Sequence, residues 1–199
     1  VDTTKPEVMA RALALGADIV NDIHALRTPG ALDVVAAHPA CGVCLMHMHG
    51  TPQSMQSAPR YGDVVADVAD FLRERAAALQ ARGVAAARIV VDPGIGFGKT
   101  VEHNLELLRR QSELLALGLP LLVGWSRKST LGAITGRPVT ERKDASVAAA
   151  LAALQRGARI VRVHDVAATV DALAVWRAAG LGPDDAAPII RPPDDTRIS

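Results

Sequence analysis

Short runs of β-branched and aliphatic residues recur along the chain, and between most of them apolar residues return at the three- and four-residue spacing of one helix face. The pattern predicts strands over 17–23 (ADIVNDI), 42–48 (GVCLMHM), 88–93 (RIVVDP), 119–126 (LPLLVGWS) and 158–165 (ARIVRVHD). VDTT at 1–4 reads as the end of one more strand. Helices are predicted over 6–15, 64–82, 101–117, 145–155 and 169–179. The first has clear start signals: Thr4 as N-cap, Pro6 in the first turn and Glu7 beside it. Strands alternating with helices pair in parallel through right-handed crossovers, so the six should lie in sequence order. Residues 181–199, rich in Pro and Asp and without periodicity, are expected to form a disordered tail behind a single domain over 1–180.

The polar residues of these runs gather at their C-terminal ends: Asp2, then Asn21 and Asp22, His47 and His49, Asp92, Ser126 with Arg127 and Lys128, and finally Arg162, His164 and Asp165. A (β/α)8 TIM barrel builds its site from many strand ends, whereas an open doubly wound sheet uses mainly one switch point. Chemistry at nearly every end favours the barrel. Six units can be counted where a barrel has eight, so about two βα units are expected before Val1.

The stretch IVVDPGIGFGKT (89–100) imitates a phosphate-binding loop but fails it. That pattern needs a glycine where Pro93 stands, and Pro93 also removes an N–H donor. Lys99 and Thr100 are therefore expected to open a helix rather than touch a substrate. Asp92 is the better candidate, because a carboxylate there accepts N–H groups of a ligand while the glycines let the backbone come close.

Composition narrows the ligand. The net charge of +1 and 3% aromatic content give no case for nucleic acid or an anionic membrane surface. The longest apolar run, near 114–125, is broken by Gly118 and Pro120 and is too short to span a bilayer. Cys41 and Cys44 lead into a strand rather than opening a helix, so they read as buried thiols in a cytoplasmic protein. His47 and His49 share a strand face, but no third ligand follows at a metal-binding spacing.

Taken in order and spacing, VDTTKPEV, NDI, CLMHM, DPGIGFGKT, VGWSRKS and IVRVHD closely resemble the dihydropteroate synthase family over residues 1 to about 180. The resemblance implies a (β/α)8 barrel that condenses 6-hydroxymethyl-7,8-dihydropterin pyrophosphate with p-aminobenzoate, releasing pyrophosphate and using Mg2+ in a homodimer. It assigns the pterin to Asp2, Asn21, Met46, Asp92, Phe97, Gly124 and Lys128, and p-aminobenzoate to Ser129 and Arg127. The chemistry fits independently. A pterin's pyrimidine edge offers N–H donors for carboxylate and amide oxygens, and acceptors for an amide N–H or an ammonium. Arg162 and His164, two apart on a strand, point the same way and suit an anionic leaving group, which the resemblance makes pyrophosphate. Asp22 and Asp165 read equally well as turn formers, and Arg127 as a surface charge.

The family's Asn-Val-Thr-Pro-Asp-Ser-Phe segment, which supplies the magnesium ligand, and its Gly-Gly-Glu-Ser-Thr-Arg-Pro loop are not in the sequence. Two other readings remain. One is a paralogue or fragment that binds pterin without catalysis. The other is a folate-dependent corrinoid methyltransferase, which would have no use for SRKS and RVHD.

Overall fold

A computed structural model describes residues 1–50 and 59–182. The predicted 181–199 tail falls almost wholly outside them. In chain order the elements are α1 (Pro6–Ala14), β1 (Ile19–Asp22), α2 (Ala31–Ala37), β2 (Gly42–Met46), α3 (Val64–Gln80), β3 (Ile89–Asp92), α4 (Val101–Arg109), β4 (Leu122–Val123), α5 (Ser129–Thr135), α6 (Lys143–Gln155), β5 (Ile160–Val161) and α7 (Val166–Ala178). All strand pairs are parallel. The strands form one sheet in the order β1-β2-β3 and a second from β4 and β5. Bridges Asp2↔Asn21 and Val91↔Leu121 join VDTT and both sheets into one parallel series in sequence order. The parallel α/β expectation therefore holds.

Alternation along each strand divides the side chains between two environments. Val20, Val43, Leu45, Ile89, Val91 and Val123 face the helices and join the core with Met9, Leu13, Val35, Val68, Leu72 and Leu107. The other set, including Ile19, Asn21, Cys44, Leu122, Ile160 and Arg162, lines a cleft of about 410 Å³. Ile19 is 50% exposed and Ile160 38%, so this inner face is only partly packed among the described residues.

Several boundaries differ from the sequence reading. Helix α1 starts on Pro6 with Lys5, not Thr4, as N-cap; the Thr3 hydroxyl instead accepts the Lys5 N–H at 3.2 Å. The expected helix over 101–117 changes after Arg109 to a tighter 3₁₀ segment, Gln111–Leu117. There the buried Gln111 amide donates to the carbonyls of Ala153 (2.7 Å) and Arg156 (3.2 Å). Helices α2 and α5, seven residues each, are too short to show a period in sequence.

Asp22 is the turn former that its bland reading implied. Its fully buried carboxylate accepts the N–H groups of His24 at 2.8 Å and Leu26 at 2.9 Å. These bonds support Ala25 and Leu26, both in the left-handed region at φ 51° and 56°. Asp22→Ala orphans one buried and one half-buried amide, so urea unfolding should show a loss of roughly 2–4 kcal/mol.

Candidate active site

Asp92 ends β3 and Pro93 stops the pairing there. At Gly94 the backbone turns to φ +69°, where a β-carbon would collide with the His47 carbonyl oxygen. Only glycine fits. The turn lets Asp92 Oδ1 accept the Gly94 N–H at 2.8 Å while Oδ2 accepts Arg162 Nη2 at 2.9 Å. The same guanidinium donates through Nη1 to Asn21 Oδ1 at 3.3 Å. It lies across Gly124, where a β-carbon would stand 3.1 Å from Nη2. Asn21 Nδ2 is buried and has no partner among the described residues. Asp2, bridged to Asn21, lines the same cleft.

Lys128 sits on the other side of this group, its ammonium 4.2 Å from the centre of the Phe97 ring. Met46, in register with Asp92, is fully buried close to the Gly94 turn. Asp2, Asn21, Met46, Asp92, Phe97, Gly124 and Lys128 are thus brought to one end of the sheet. Asp92 is 1% exposed, and burial drives its carboxyl above the usual range against the pull of Arg162, the Gly94 N–H and Lys128. Burial lowers the Lys128 ammonium, with Asp92 opposing and Arg162 adding to the shift.

The remaining candidates disperse. Strand β5 stops at Val161, so the two-residue period does not carry Arg162 and His164 onto one partner. Arg162 turns to Asp92, whereas His164 Nδ1 lies 2.9 Å from Ser126 Oγ and its N–H donates to the same oxygen at 3.2 Å. Arg127, at φ +59°, pairs with Asp165 at 2.9 Å, which fits its reading as a surface charge. The Asp165 carboxylate is spent on this pair and makes no cap bond to α7, so it is not the turn former its bland reading implied. Ser129 opens α5 and is exposed. Cys41 and Cys44 are free and buried, as the strand reading required.

Sequence reasoning misplaced Lys99. It is 3% exposed, with Nζ at 2.9 Å from His47 Nδ1, 3.0 Å from the Gly94 carbonyl and 3.1 Å from the Phe97 carbonyl. Thr100 does cap α4, accepting the His103 N–H, but Lys99 points inward from it. Asn104 was missed altogether. Its Oδ1 accepts the Gly96 N–H at 2.9 Å while Nδ2 reaches Thr130 Oγ1 at 3.0 Å. No local pattern could reveal the Asn104 partner Thr130, 26 residues away, or the Lys99 partner His47, 52 residues away. Trp125 is a core residue, 2% exposed, and His49 is an exposed ring 5.6 Å from Tyr61.

Among the described residues no three His, Cys, Asp or Glu side chains converge as a metal site. Among the described residues, the groups present do not assemble a magnesium cage. A larger cavity, about 750 Å³, lies between Leu119, Leu154, Leu173 and Trp176, away from these polar groups.

Parallel βα units thus deliver carboxylates, an amide and a lysine to one set of strand ends, the edge at which α/β folds place their ligand sites. The chain belongs to the pterin binding enzyme family, whose model matches residues 1–164. It is 52% identical over 186 residues to the dihydropteroate synthase of Neisseria meningitidis serogroup B, covering 91% of this chain and 65% of that protein. The chain therefore spans about two thirds of that relative's length. Among solved structures, the dihydropteroate synthase of Stenotrophomonas maltophilia superimposes with a TM-score of 0.88 at 55% identity, covering 92% of this chain and 69% of the other. That of Burkholderia cenocepacia complexed with 7,8-dihydropteroate gives 0.83 at 56%, covering 90% and 66%.

Burying Lys99 has a measurable consequence. Desolvation lowers its ammonium from 10.5 to about 7, with Asp92 opposing and Lys128 adding to the shift. Between those values the unfolded chain holds a proton that the folded chain has released, so stability rises with pH across the window. The full penalty applies below pH 7. Unfolding at several pH values should show wild type gaining on Lys99→Met as pH rises from 7, by no more than about 5 kcal/mol.

Proposed function

We propose that this chain is the pterin-binding part of a dihydropteroate synthase, joining 6-hydroxymethyl-7,8-dihydropterin pyrophosphate to p-aminobenzoate with release of pyrophosphate. One observation carries the reading. The buried Asp92 carboxylate and the Asn21 amide oxygen are satisfied by the planar N–H fork of Arg162. A pterin's ring N–H and 2-amino group form the same guanidine-like edge, so the ligand can replace Arg162 on these acceptors. Asn21 Nδ2, orphaned and buried, supplies a donor for a ring acceptor. Lys128, held over Phe97, supplies another.

Displaced from Asp92, the Arg162 guanidinium is free to meet the pyrophosphate, with His164 beside it on the same segment. As the bond between the 6-methylene carbon and oxygen breaks, the electron pair leaves with pyrophosphate, and the cations stabilise the growing charge. The arylamine nitrogen then attacks the methylene carbon and loses a proton. No protein nucleophile takes part. Ser129 and Arg127 are the candidates for the p-aminobenzoate carboxylate, with Arg127 exchanging Asp165 for it.

The chain then supplies six of the eight units of a (β/α)8 barrel, as its 65% coverage of the Neisseria relative supports. Magnesium, a cytoplasmic location and a homodimer rest on the family resemblance. Among the described residues no helix is long and apolar enough to cross a membrane.

Lys128→Ala in the protein carrying this sequence should weaken pterin binding by about 1.5–3 kcal/mol, roughly 10- to 150-fold, in a fluorescence titration. Asp92→Asn should abolish the response, because it sets an N–H donor against the ligand's own donors. Pyrophosphate release that needs both substrates distinguishes the synthase from a pterin binder and from a methyltransferase. Release unaffected by either substitution would remove the assignment.

A further inference from the structure

The phosphate-loop look-alike leaves one group unused: the buried ammonium of Lys99. Its three donors match three acceptors, the Gly94 and Phe97 carbonyls and His47 Nδ1, all within 3.1 Å. These acceptors bracket the turn that carries the Phe97 ring. The turn's outer side is fixed separately, by Tyr61 Oη donating to the Gly98 carbonyl at 2.8 Å and by Asn104 Oδ1 accepting the Gly96 N–H. Lys99 is the inner post. Removing it would leave the Phe97 carbonyl and His47 Nδ1 without the ammonium and free the turn to move between Gly94 and Gly98.

We propose that Lys99 is a positioning residue for the ligand site: by fixing the 94–98 turn from inside, it sets the Phe97 ring against which the Lys128 ammonium is held, and so the pair of groups that meets the pterin. This rests on the pterin-binding reading above. The arrangement tolerates loss of the Lys99 proton. His47 is neutral at ordinary pH, burial and then Lys99 having lowered it from 6.5 to about 3. A neutral imidazole can accept from the ammonium or, as the other tautomer, donate Nδ1–H to the amine. The charged groups acting on Lys99 are Asp92 at the end of β3 and Lys128 ahead of α5, with the neutral His47 ring after β2 in contact. Burying a lysine costs stability, which a purely structural role would not require.

The test uses Lys99→Met and Lys99→Gln in the protein carrying this sequence, with 6-hydroxymethylpterin as the probe. Three quantities are read: affinity by fluorescence titration, thermal midpoint, and amide exchange at Gly96, Phe97 and Gly98. The methionine variant should keep or raise its midpoint, lose at least tenfold in affinity and exchange faster at those amides. The shorter glutamine, which retains a donor, should lose less. A folded Lys99→Met that binds within twofold of wild type overturns the inference alone. Loss of affinity only alongside a falling midpoint in both variants, or failure of both to fold, marks Lys99 as a core residue and also overturns it. A wild type that does not bind the probe overturns the functional reading, and the inference with it.

Discussion

A carboxylate buried to 1% exposure must find donors, and the arrangement at the C-terminal end of this sheet follows from that need at Asp92. Pro93 and Gly94 bend the chain so that the Gly94 N–H reaches one oxygen. The other oxygen is met by Arg162, from the segment just after β5 and 70 residues further on. An acceptor at this depth selects what can replace the arginine. A planar group with paired N–H donors fits, and an anion does not.

The same constraint explains the glycines of the loop better than any phosphate-binding role. Gly94 makes room for the His47 carbonyl. At Gly98, φ +62°, a β-carbon would sit 2.6 Å from the His49 carbonyl oxygen. Close approach of two loops, rather than an anion cradle, is what these positions serve. Lys99 then turns inward, because the carbonyls released by the tight turn need donors in a place that water does not reach.

Short strands are the main departure from the expected pattern. Strands β4 and β5 have two residues each, although the runs predicted there span eight: the Arg162 N–H still donates to the Val123 carbonyl at 2.9 Å, and only beyond it do backbone groups turn to side chains. Ser146 Oγ accepts the Arg127 N–H at 2.9 Å and Ser126 Oγ accepts the His164 N–H. Early exit from the ladder is what sends Arg162 and His164 to different partners despite their two-residue spacing.

Periodicity alone determined the order and parallel pairing of the strands, because one face of each had to meet helices such as α3, whose Val65, Val68, Leu72, Ala76 and Leu79 form one stripe. The position of polar residues at strand ends likewise marked Asp2, Asn21, Asp92 and Lys128 before any coordinates, since local backbone geometry sets which end a side chain decorates. Tertiary structure decided which of these groups touch. Asp92 with Arg162, His164 with Ser126, Arg127 with Asp165 and Lys99 with His47 are pairs 70, 38, 38 and 52 residues apart. Sequence spacing carries no information at those separations. Burial of Lys99 is the clearest case: its neighbours in sequence describe a helix start, and only the packing of the loop after β3 against the segment after β2 turns the side chain into the interior.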